Sequence, residues 1–325
     1  MSNQNDPIRI AVIGTSVISE AFVAAVAGVP GIRVEAVYSR DAARAAQSAE
    51  EFGASWSSDS LEEILASPRI DAVYIASPNS IHFEQAASAI AAGKHVLVEK
   101  PAVLTADEWR DLVARAGRAG VILLEAMRTE YDPGTALVRS LLAELGTLRA
   151  ASFRYQKRSS RYDQVLAGER VNMFDPALGG GALADLGVYC LHAMVSLFGV
   201  PERLASTMVP VASGVDGAGS ITAGYPGMVV TLDYSKITTT RLSSEIQGEE
   251  GTMVIDQIAA PRAVEIVRRD GAVVRHEIEG DPHPLAGEVV RFVDLVANGG
   301  DPAPDQRLTA QTLALIERAR RAAID

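Results

Sequence analysis

The chain of 325 residues is 48% hydrophobic and 22% charged, which provides ample material for a buried core and excludes a disordered protein. Its 41 acidic and 30 basic residues give a formal charge of −11, which disfavours binding to nucleic acid or to an anionic membrane surface because the mean field repels phosphate. Cys190 is the single cysteine, residues 1–7 contain no apolar signal core, and no unbroken apolar run reaches the length of a membrane helix, so we expect a cytoplasmic protein that does not enter a membrane.

The first third of the chain alternates short apolar runs with alanine-rich segments of helical length. The predicted buried strands are residues 8–13, 34–38, 72–76, 96–98 and 121–124. The predicted helices are residues 19–27, 41–51, 80–91 and 106–116, with Asp41 and Ser80 as N-caps. This alternation predicts an α/β domain with a doubly wound parallel sheet over residues 1–126.

The second part of the chain changes to longer strands, several with period-2 alternation. The predicted strands are residues 151–156, 229–234, 243–247, 252–256, 263–267 and 273–278, and turn pairs between some of them indicate an antiparallel sheet. Helices are predicted over residues 182–198, 285–297 and 309–323. We therefore predict a second α/β domain over residues 127–325, whose last helix can dock back on the first domain.

Residues 10–19 end a strand and open a helix, which is the context of a dinucleotide-binding turn. Gly14 fills the first glycine position of that pattern, Ser16 replaces the second and Ser19 the third. The Ser16 hydroxyl either donates to a phosphate or weakens binding by its bulk. The residues expected at the pyrophosphate are Gly14, Thr15, Ser16, Val17 and Ile18. The alternative is an ordinary strand–turn–helix connection.

The second predicted strand ends in Ser39 and Arg40, where folds that prefer NAD place an acidic residue for the ribose hydroxyls. A hydroxyl and a guanidinium suit a 2′-phosphate instead, because arginine can form a bidentate pair with phosphate. We therefore predict NADP as the preferred cofactor, with NAD possible. The alternative is that Arg40 caps or solvates a helix start, although Asp41 fits the N-cap better.

Three further segments carry a family resemblance that extends over nearly the whole chain. They are the run Gly-Lys-His-Val-Leu-Val-Glu-Lys-Pro at 93–101, the run Ser-Pro-Asn at 77–79 with His82, and the run Gly-Gly-Gly-Ala-Leu-Ala-Asp-Leu-Gly-Val-Tyr at 179–189. Together they resemble the glucose-fructose oxidoreductase, inositol dehydrogenase and MocA (Gfo/Idh/MocA) family. Tyr189 stands where the inositol dehydrogenase branch has histidine, so the chain looks most like the dimeric dihydrodiol dehydrogenase and glucose-fructose oxidoreductase branches.

The resemblance implies an N-terminal Rossmann domain and a C-terminal α/β domain with a large, mostly antiparallel sheet for substrate binding and oligomerisation. It implies hydride transfer between a nicotinamide dinucleotide and a carbinol or carbonyl of a sugar, polyol or cyclic diol. It also places six further residues at the cofactor: Ser77, Pro78, Asn79, His82, Glu99 and Lys100.

The catalytic roles follow from the same resemblance. Lys100 is expected to stabilise charge on the substrate oxygen, and Tyr189 to give or take its proton. Asp185 either orients Lys100 or binds a substrate hydroxyl, and it shares a helix face with Tyr189 if the spacing of four is α-helical. His192 is a further substrate-binding candidate on that face, and the alternative is a packed helix histidine. Lys100, Asp185, Tyr189 and His192 form the predicted substrate site.

The remaining expectations concern metals, partners and the alternative function. The five histidines show no metal-ligand spacing, so no metal site is predicted. The expected partner is a small polyhydroxylated substrate, and a homodimer or homotetramer is expected through the second sheet, where residues 231–234 and 242–246 offer apolar side chains. The alternative function is a catalytically silent, dinucleotide-sensing regulator on the same fold.

Overall fold

The computed structural model describes residues 6–324, so the first five residues of the predicted polar N-terminal segment lie outside the described part. The chain divides into two compact units. The first comprises the chain up to Arg128 together with Asp281–Ala310, and the second comprises Thr129–Gly280 and the chain from Gln311 onwards. The predicted single boundary after residue 126 omitted this return of the chain to the first unit.

The first unit contains a parallel sheet of six strands. The strands are β1 (Ile8–Ile13), β2 (Ile32–Tyr38), β3 (Trp56–Ser58), β4 (Ala72–Ile75), β5 (His95–Glu99) and β6 (Leu123–Ala126). Their order, β3-β2-β1-β4-β5-β6, is that of the Rossmann fold and confirms the predicted class. The order reverses between β1 and β4, and ligands of such sheets bind outside the carboxyl ends of the strands at this switch point.

Five helices connect these strands. They are α1 (Val17–Gly28), α2 (Ala42–Glu51), α3 (Leu61–Ala66), α4 (His82–Ala91) and α5 (Ala106–Ala119). Asp41 caps α2 as predicted, because its carboxylate accepts from Arg44 N at 3.1 Å. The prediction of Ser80 as an N-cap is wrong, since a 3₁₀ turn over Asn79–Ile81 precedes α4. Sequence patterning missed β3 and α3, which are short.

The second unit contains a sheet of nine strands. They are β7 (Leu148–Gln156), β8 (Arg203–Pro210), β9 (Asp216–Tyr225), β10 (Met228–Ser235), β11 (Ser244–Gly248), β12 (Gly251–Ile255), β13 (Ala263–Arg268), β14 (Val273–Glu277) and β15 (Ala323–Ile324). Their order is β14-β13-β12-β11-β7-β10-β9-β8-β15. Only β7 with β10 and β8 with β15 pair in parallel, so the sheet is mostly antiparallel, as predicted.

The helices of the second unit are α6 (Pro133–Leu141), α7 (Tyr162–Leu166) and α8 (Val188–Phe198). The predicted helix over 182–198 has two parts, because a π-helical turn over Leu183–Gly187 leads into α8. Within residues 6–324, the stretch Pro176–Phe198 is long and apolar enough to cross a membrane by length and composition, with a hydropathy of 1.5. In its most apolar 18-residue window, 78% is buried inside the protein, and the core helix of a soluble protein passes the same test.

The last two helices are α9 (Ala286–Asn298) and α10 (Ala303–Arg321). We expected the helix at 285–297 in the second domain, and that assignment differs from the structure. Val289 and Phe292 of α9 share the first unit's hydrophobic core with Phe22 of α1. Gln306, in the first turn of α10, donates from its amide to Leu123 O at 3.0 Å within the same unit.

The strands of the second sheet separate apolar from polar side chains. In β10, Val230, Leu232 and Tyr234 are fully buried, whereas Thr231 and Asp233 between them are partly exposed. The expected apolar surface at 231–234 and 242–246 is therefore wrong for Leu232, Tyr234 and Ile246, which are buried. Period-2 alternation directs these apolar side chains into the core and leaves polar side chains on the other face. Leu242 remains exposed.

Candidate active site

The predicted cofactor residues of the first unit lie at one edge of its sheet. They follow the carboxyl ends of β1 (Gly14–Ile18), β2 (Ser39, Arg40), β4 (Ser77–Asn79) and β5 (Lys100), and Glu99 is the last residue of β5. Because β2, β1, β4 and β5 are consecutive in a parallel sheet, these ends are neighbours. The structure thus gathers them at the switch point where dinucleotides bind.

Gly14 is required by the shape of the first turn. Its φ is +115°, and a Cβ there would lie 2.6 Å from Ala76 O at the end of β4. Its N–H donates to Tyr38 O at 3.1 Å, so the turn is tied to β2 as well. Ser16 is the N-cap residue of α1, but its hydroxyl makes no capping hydrogen bond. The turn therefore delivers a helix N-terminus to the sheet edge, which is a favourable site for the anionic pyrophosphate.

The end of β2 leaves Arg40 on the surface. Asp41 provides the N-cap of α2, and Ser39 Oγ accepts from Asp41 N at 3.3 Å. Arg40 is exposed and takes no part in that cap. This arrangement argues against the alternative in which Arg40 caps the helix, and it leaves a guanidinium at the ribose end of the predicted cofactor site.

Two buried carboxylates hold the backbone around Pro101. Glu99 Oε2 accepts from Lys100 N at 3.1 Å, and its Oε1 accepts from the buried Tyr74 hydroxyl at 2.7 Å. Glu125 Oε1 accepts from Ala102 N at 2.9 Å, on the other side of Pro101. Proline has no N–H, so the two carboxylates accept hydrogen bonds from the backbone N–H groups on either side of it. The Lys100–Pro101 peptide bond is cis.

Further contacts strengthen this region of the first unit. Glu125 Oε2 accepts from Thr309 Oγ1 at 3.0 Å. Burial raises the pKa of Glu99. Burial, followed by the negative charge of Glu99, raises the pKa of Glu288, whose carboxyl oxygens have no hydrogen-bond partner within residues 6–324. The sequence singled out neither Glu125 nor Glu288, because both lie outside recognisable motifs.

His82 is fully buried, and both ring nitrogens face backbone carbonyls. Nδ1 lies 3.1 Å from Pro101 O and Nε2 lies 2.8 Å from Ser77 O. Burial lowers the pKa of His82, and a neutral imidazole has one N–H to donate. His82 therefore links the segment after β4 to the segment after β5. These contacts fix the position of the ring within the first unit, and the cofactor contact expected from the resemblance stays a prediction.

In the second unit, Asp185 lies in the π-helical turn and Tyr189 in the first turn of α8. The ring of Tyr189 is 5.6 Å from that of Tyr155, and the residue is 7% exposed. The assumption of α-helical spacing between Asp185 and Tyr189 is wrong, because the intervening turn is π-helical. Such turns frequently occur at functional sites.

The glycine run before this turn has a steric cause. Gly181 has φ +126°, and a Cβ at this position would collide with the Asp216 carboxylate. The other oxygen of that carboxylate accepts from Leu183 N at 2.6 Å, at the start of the π-helical turn. Glycine thus allows Asp216 to approach and cap the turn that carries Asp185.

Asp185 forms an ion pair with Lys236, at the end of β10. Lys236 is 5% exposed, and its backbone is fixed by hydrogen bonds from its N–H to Gly217 O and from Ser159 N to its carbonyl, both 2.8 Å. The sequence led us to expect Lys100 or a substrate hydroxyl at Asp185. Lys236 was not among the predicted site residues, because it belongs to no recognisable motif.

His192 is 2% exposed and belongs to a hydrogen-bonded group with Glu130 and Ser196. His192 Nε2 lies 3.1 Å from Glu130 Oε2, and the Ser196 hydroxyl donates to the same oxygen at 2.7 Å. Burial acts to raise the pKa of Glu130, but hydrogen bonds and charge from His192, together with Ser196 and Arg139, lower it to about 2. This arrangement agrees with the alternative of a packed histidine. Within residues 6–324, no group of three His, Cys, Asp or Glu side chains is arranged to hold a metal ion.

Comparison with known proteins adds two family matches. Residues 8–127 match the GFO_IDH_MocA family, described as an oxidoreductase family with an NAD-binding Rossmann fold. Residues 136–254 match the GFO/IDH/MocA C-terminal domain.

Two curated relatives and two solved structures illustrate the similarity. The chain is 41% identical to scyllo-inositol 2-dehydrogenase (NADP(+)) of Bacillus subtilis, over 89% of this chain and 88% of that protein. It is 29% identical to trans-1,2-dihydrobenzene-1,2-diol dehydrogenase of Mus musculus, over 88% and 84%. A 3-ketoreductase from Actinomadura kijaniata, solved with NADP and TDP-benzene, has a TM-score of 0.89 at 24% identity, covering 98% of this chain and 99% of that one. Levoglucosan dehydrogenase, solved with NADH and levoglucosan, has a TM-score of 0.87 at 19% identity, covering 98% and 97%. These structures support the fold alone.

Proposed function

This chain belongs to the GFO/IDH/MocA oxidoreductase family, and on that premise we propose that it is an NADP-preferring dehydrogenase of a sugar, polyol or cyclic diol. The chain is an NAD(P)-dependent oxidoreductase acting on a carbinol or carbonyl group. The observation that carries the proposal is the position of Lys100, directly after β5 at the edge of the Rossmann sheet. Its N–H donates to the buried Glu99, and the N–H of Ala102 donates to the buried Glu125. A catalytically silent regulator has no support among the named relatives.

The preference for NADP rests on Arg40. Its guanidinium is exposed beside Ser39 at the end of β2, and Asp41, the nearby acid, is engaged in capping α2. A 2′-phosphate would find a bidentate donor there, whereas the ribose hydroxyls of NAD would find no free acid. The relative from Bacillus subtilis is named as NADP-dependent, which agrees with this preference.

We assign the proton chemistry to Lys100 and Tyr189. The nicotinamide, when bound, takes or supplies the hydride. Lys100 would stabilise negative charge on the substrate oxygen, and Tyr189 would receive the hydroxyl proton during oxidation and return it during reduction. Asp185 would bind a substrate hydroxyl.

We further propose a cytoplasmic homodimer or homotetramer that associates through the second sheet. The support is the partly exposed face of that sheet, which carries Thr231, Asp233 and the exposed Val229 of β10. Light scattering should give a multiple of the 34.4 kDa chain mass, and a mass of one chain over a wide concentration range would contradict the assembly.

The function is tested by following NADPH absorbance with a panel of inositols, aldoses and cyclic diols. We expect NADP-dependent oxidation of at least one of them, with scyllo-inositol tried first because of the relative's activity. NADPH binding without turnover on any member would reject the substrate assignment, and absence of NADPH binding would reject the cofactor assignment.

A further inference from the structure

The ion pair between Lys236 and Asp185 has an unusual distribution of exposure. The side chain of Lys236 is 7% exposed, whereas that of Asp185 is 35% exposed. The ammonium is thus almost completely buried, and solvent or a ligand reaches the pair from the side of the Asp185 carboxylate.

Lys236 has more hydrogen-bond donors than acceptors around it. An ammonium carries three N–H groups, and within residues 6–324 Asp185 is the sole hydrogen-bond acceptor of Lys236 Nζ. Buried polar groups are seldom left without partners, so the other N–H groups call for oxygen atoms from water or a ligand. Because the backbone of Lys236 is bonded on both sides, to Gly217 and Ser159, the ammonium is carried by a fixed segment at the end of β10.

The charge of the pair indicates what kind of ligand it takes. A positive and a negative group in contact have no net charge, so the pair itself contributes little electrostatic attraction for an anionic substrate. A hydroxyl can both accept and donate, so a polyol can use both members of the pair at once. An uncharged ligand with several hydroxyls therefore fits better than a phosphorylated or carboxylated one.

We propose that Lys236 is a substrate-binding residue, donating to one hydroxyl oxygen of an uncharged polyol while Asp185 accepts a hydrogen bond from a hydroxyl of the same molecule. This inference rests on the proposed function and deepens it. Because both contacts persist through the reaction, the loss of Lys236 should raise KM and leave kcat nearly unchanged. If Lys236 only positioned Asp185, its loss would raise KM no further in an Asp185→Asn background, whereas the loss of a lysine in contact with the substrate would raise it there too.

The test compares Lys236→Met, Lys236→Arg and wild type on scyllo-inositol, or on the panel polyol with the best turnover, with NADP saturating. Lys236→Met should raise KM by about 10- to 150-fold, the loss typical of a hydrogen bond to a charged group. Lys236→Arg should recover most of the loss, because it keeps a cationic donor. Lys157→Met is the matched control, since Lys157 is an exposed lysine just after β7, and its KM should stay at the wild-type value.

NADPH titration and thermal unfolding of each variant show whether a negative result comes from misfolding, from the inference about Lys236 or from the proposed function. An unchanged KM in a folded Lys236→Met protein, or a fall in kcat alone, would overturn the inference while the proposed function stands. A wild-type protein that binds NADPH but turns over no polyol would instead reject the function on which the inference rests. If Lys236→Met does not fold, Lys236→Gln, which keeps a polar side chain without the charge, takes its place: an increased KM supports the inference, and an unchanged one overturns it.

Discussion

Replacement of Glu125 by alanine tests whether the buried carboxylate holds the segment that carries Lys100. Glu125 is 3% exposed, and it accepts from Ala102 N at 2.9 Å and from Thr309 Oγ1 at 3.0 Å. Alanine would leave both donors buried without this partner, because Ala102 is fully buried and Thr309 is 4% exposed.

The expected loss can be worked from these two contacts. Leaving a buried donor unsatisfied costs about 1–3 kcal/mol, and removing a buried carboxylate returns part of the cost of its desolvation. We therefore expect Glu125→Ala to lower the free energy of unfolding by about 3 kcal/mol. For a unit of this size the melting temperature should fall by about 6–12 °C. Glu125→Gln keeps an oxygen that can accept from Ala102 N, so it should lose only about 1 kcal/mol.

The same change should affect turnover through the position of Lys100. A displacement of about 1 Å at a reacting group costs about 100-fold in rate, so kcat of Glu125→Ala should fall by roughly that factor while NADPH binding stays close to wild type. Thr309→Val is the matched control, since it removes one partner of Glu125 but leaves Ala102 bonded, and its kcat should be unchanged. The reasoning is refuted if Glu125→Ala has the wild-type melting temperature and turnover, as measured by calorimetry and steady-state kinetics.

Further predictions concern the cofactor, the proton and the pH dependence of stability. In a fluorescence titration, Arg40→Ala should reduce the difference between the affinities for NADPH and NADH. Equal or tighter binding of NADH by the wild type would contradict the assignment of NADP as the preferred cofactor. Lys100→Ala should lower kcat by orders of magnitude with NADPH binding nearly intact. Tyr189→Phe should lower kcat by about 10²–10⁴-fold. If Tyr189→Phe keeps near-normal turnover, another group transfers the proton. The pKa of Glu130 is lowered to about 2, below its unfolded value of about 4.3, so its contribution to stability is present above about pH 4.3 and is lost as the pH falls towards 2. In urea unfolding at several acidic pH values, the free energy of unfolding of Glu130→Gln should change less with pH than that of the wild type. If it changes equally in both proteins, the ionisation of Glu130 is not coupled to folding.

The sequence was sufficient for the elements whose periodicity and motifs are local. Strand β1 and the cap at Asp41 follow from adjacent residues, and the parallel pairing of the first sheet follows from strand–helix alternation. Lys236 was not predictable in this way, because its partner Asp185 is 51 residues away and meets it through the packing of β10 against the π-helical turn. The π-helical turn was missed for a related reason: its cap comes from Asp216, beyond the range of helix-start signals.

The return of Asp281–Ala310 to the first unit has a consequence for synthesis of the chain. Val289 and Phe292 of α9 are fully buried in the core of that unit, so a nascent chain ending near Arg128 exposes the surface they cover. At about 5–20 residues per second, roughly 10–40 seconds pass between the emergence of β6 and that of α10. Throughout that interval the Rossmann unit lacks part of its core, and by its end most of the second unit has been made. We expect the ribosome-bound first unit to resist proteolysis only after residue 310 has emerged, although its six strands are complete much earlier.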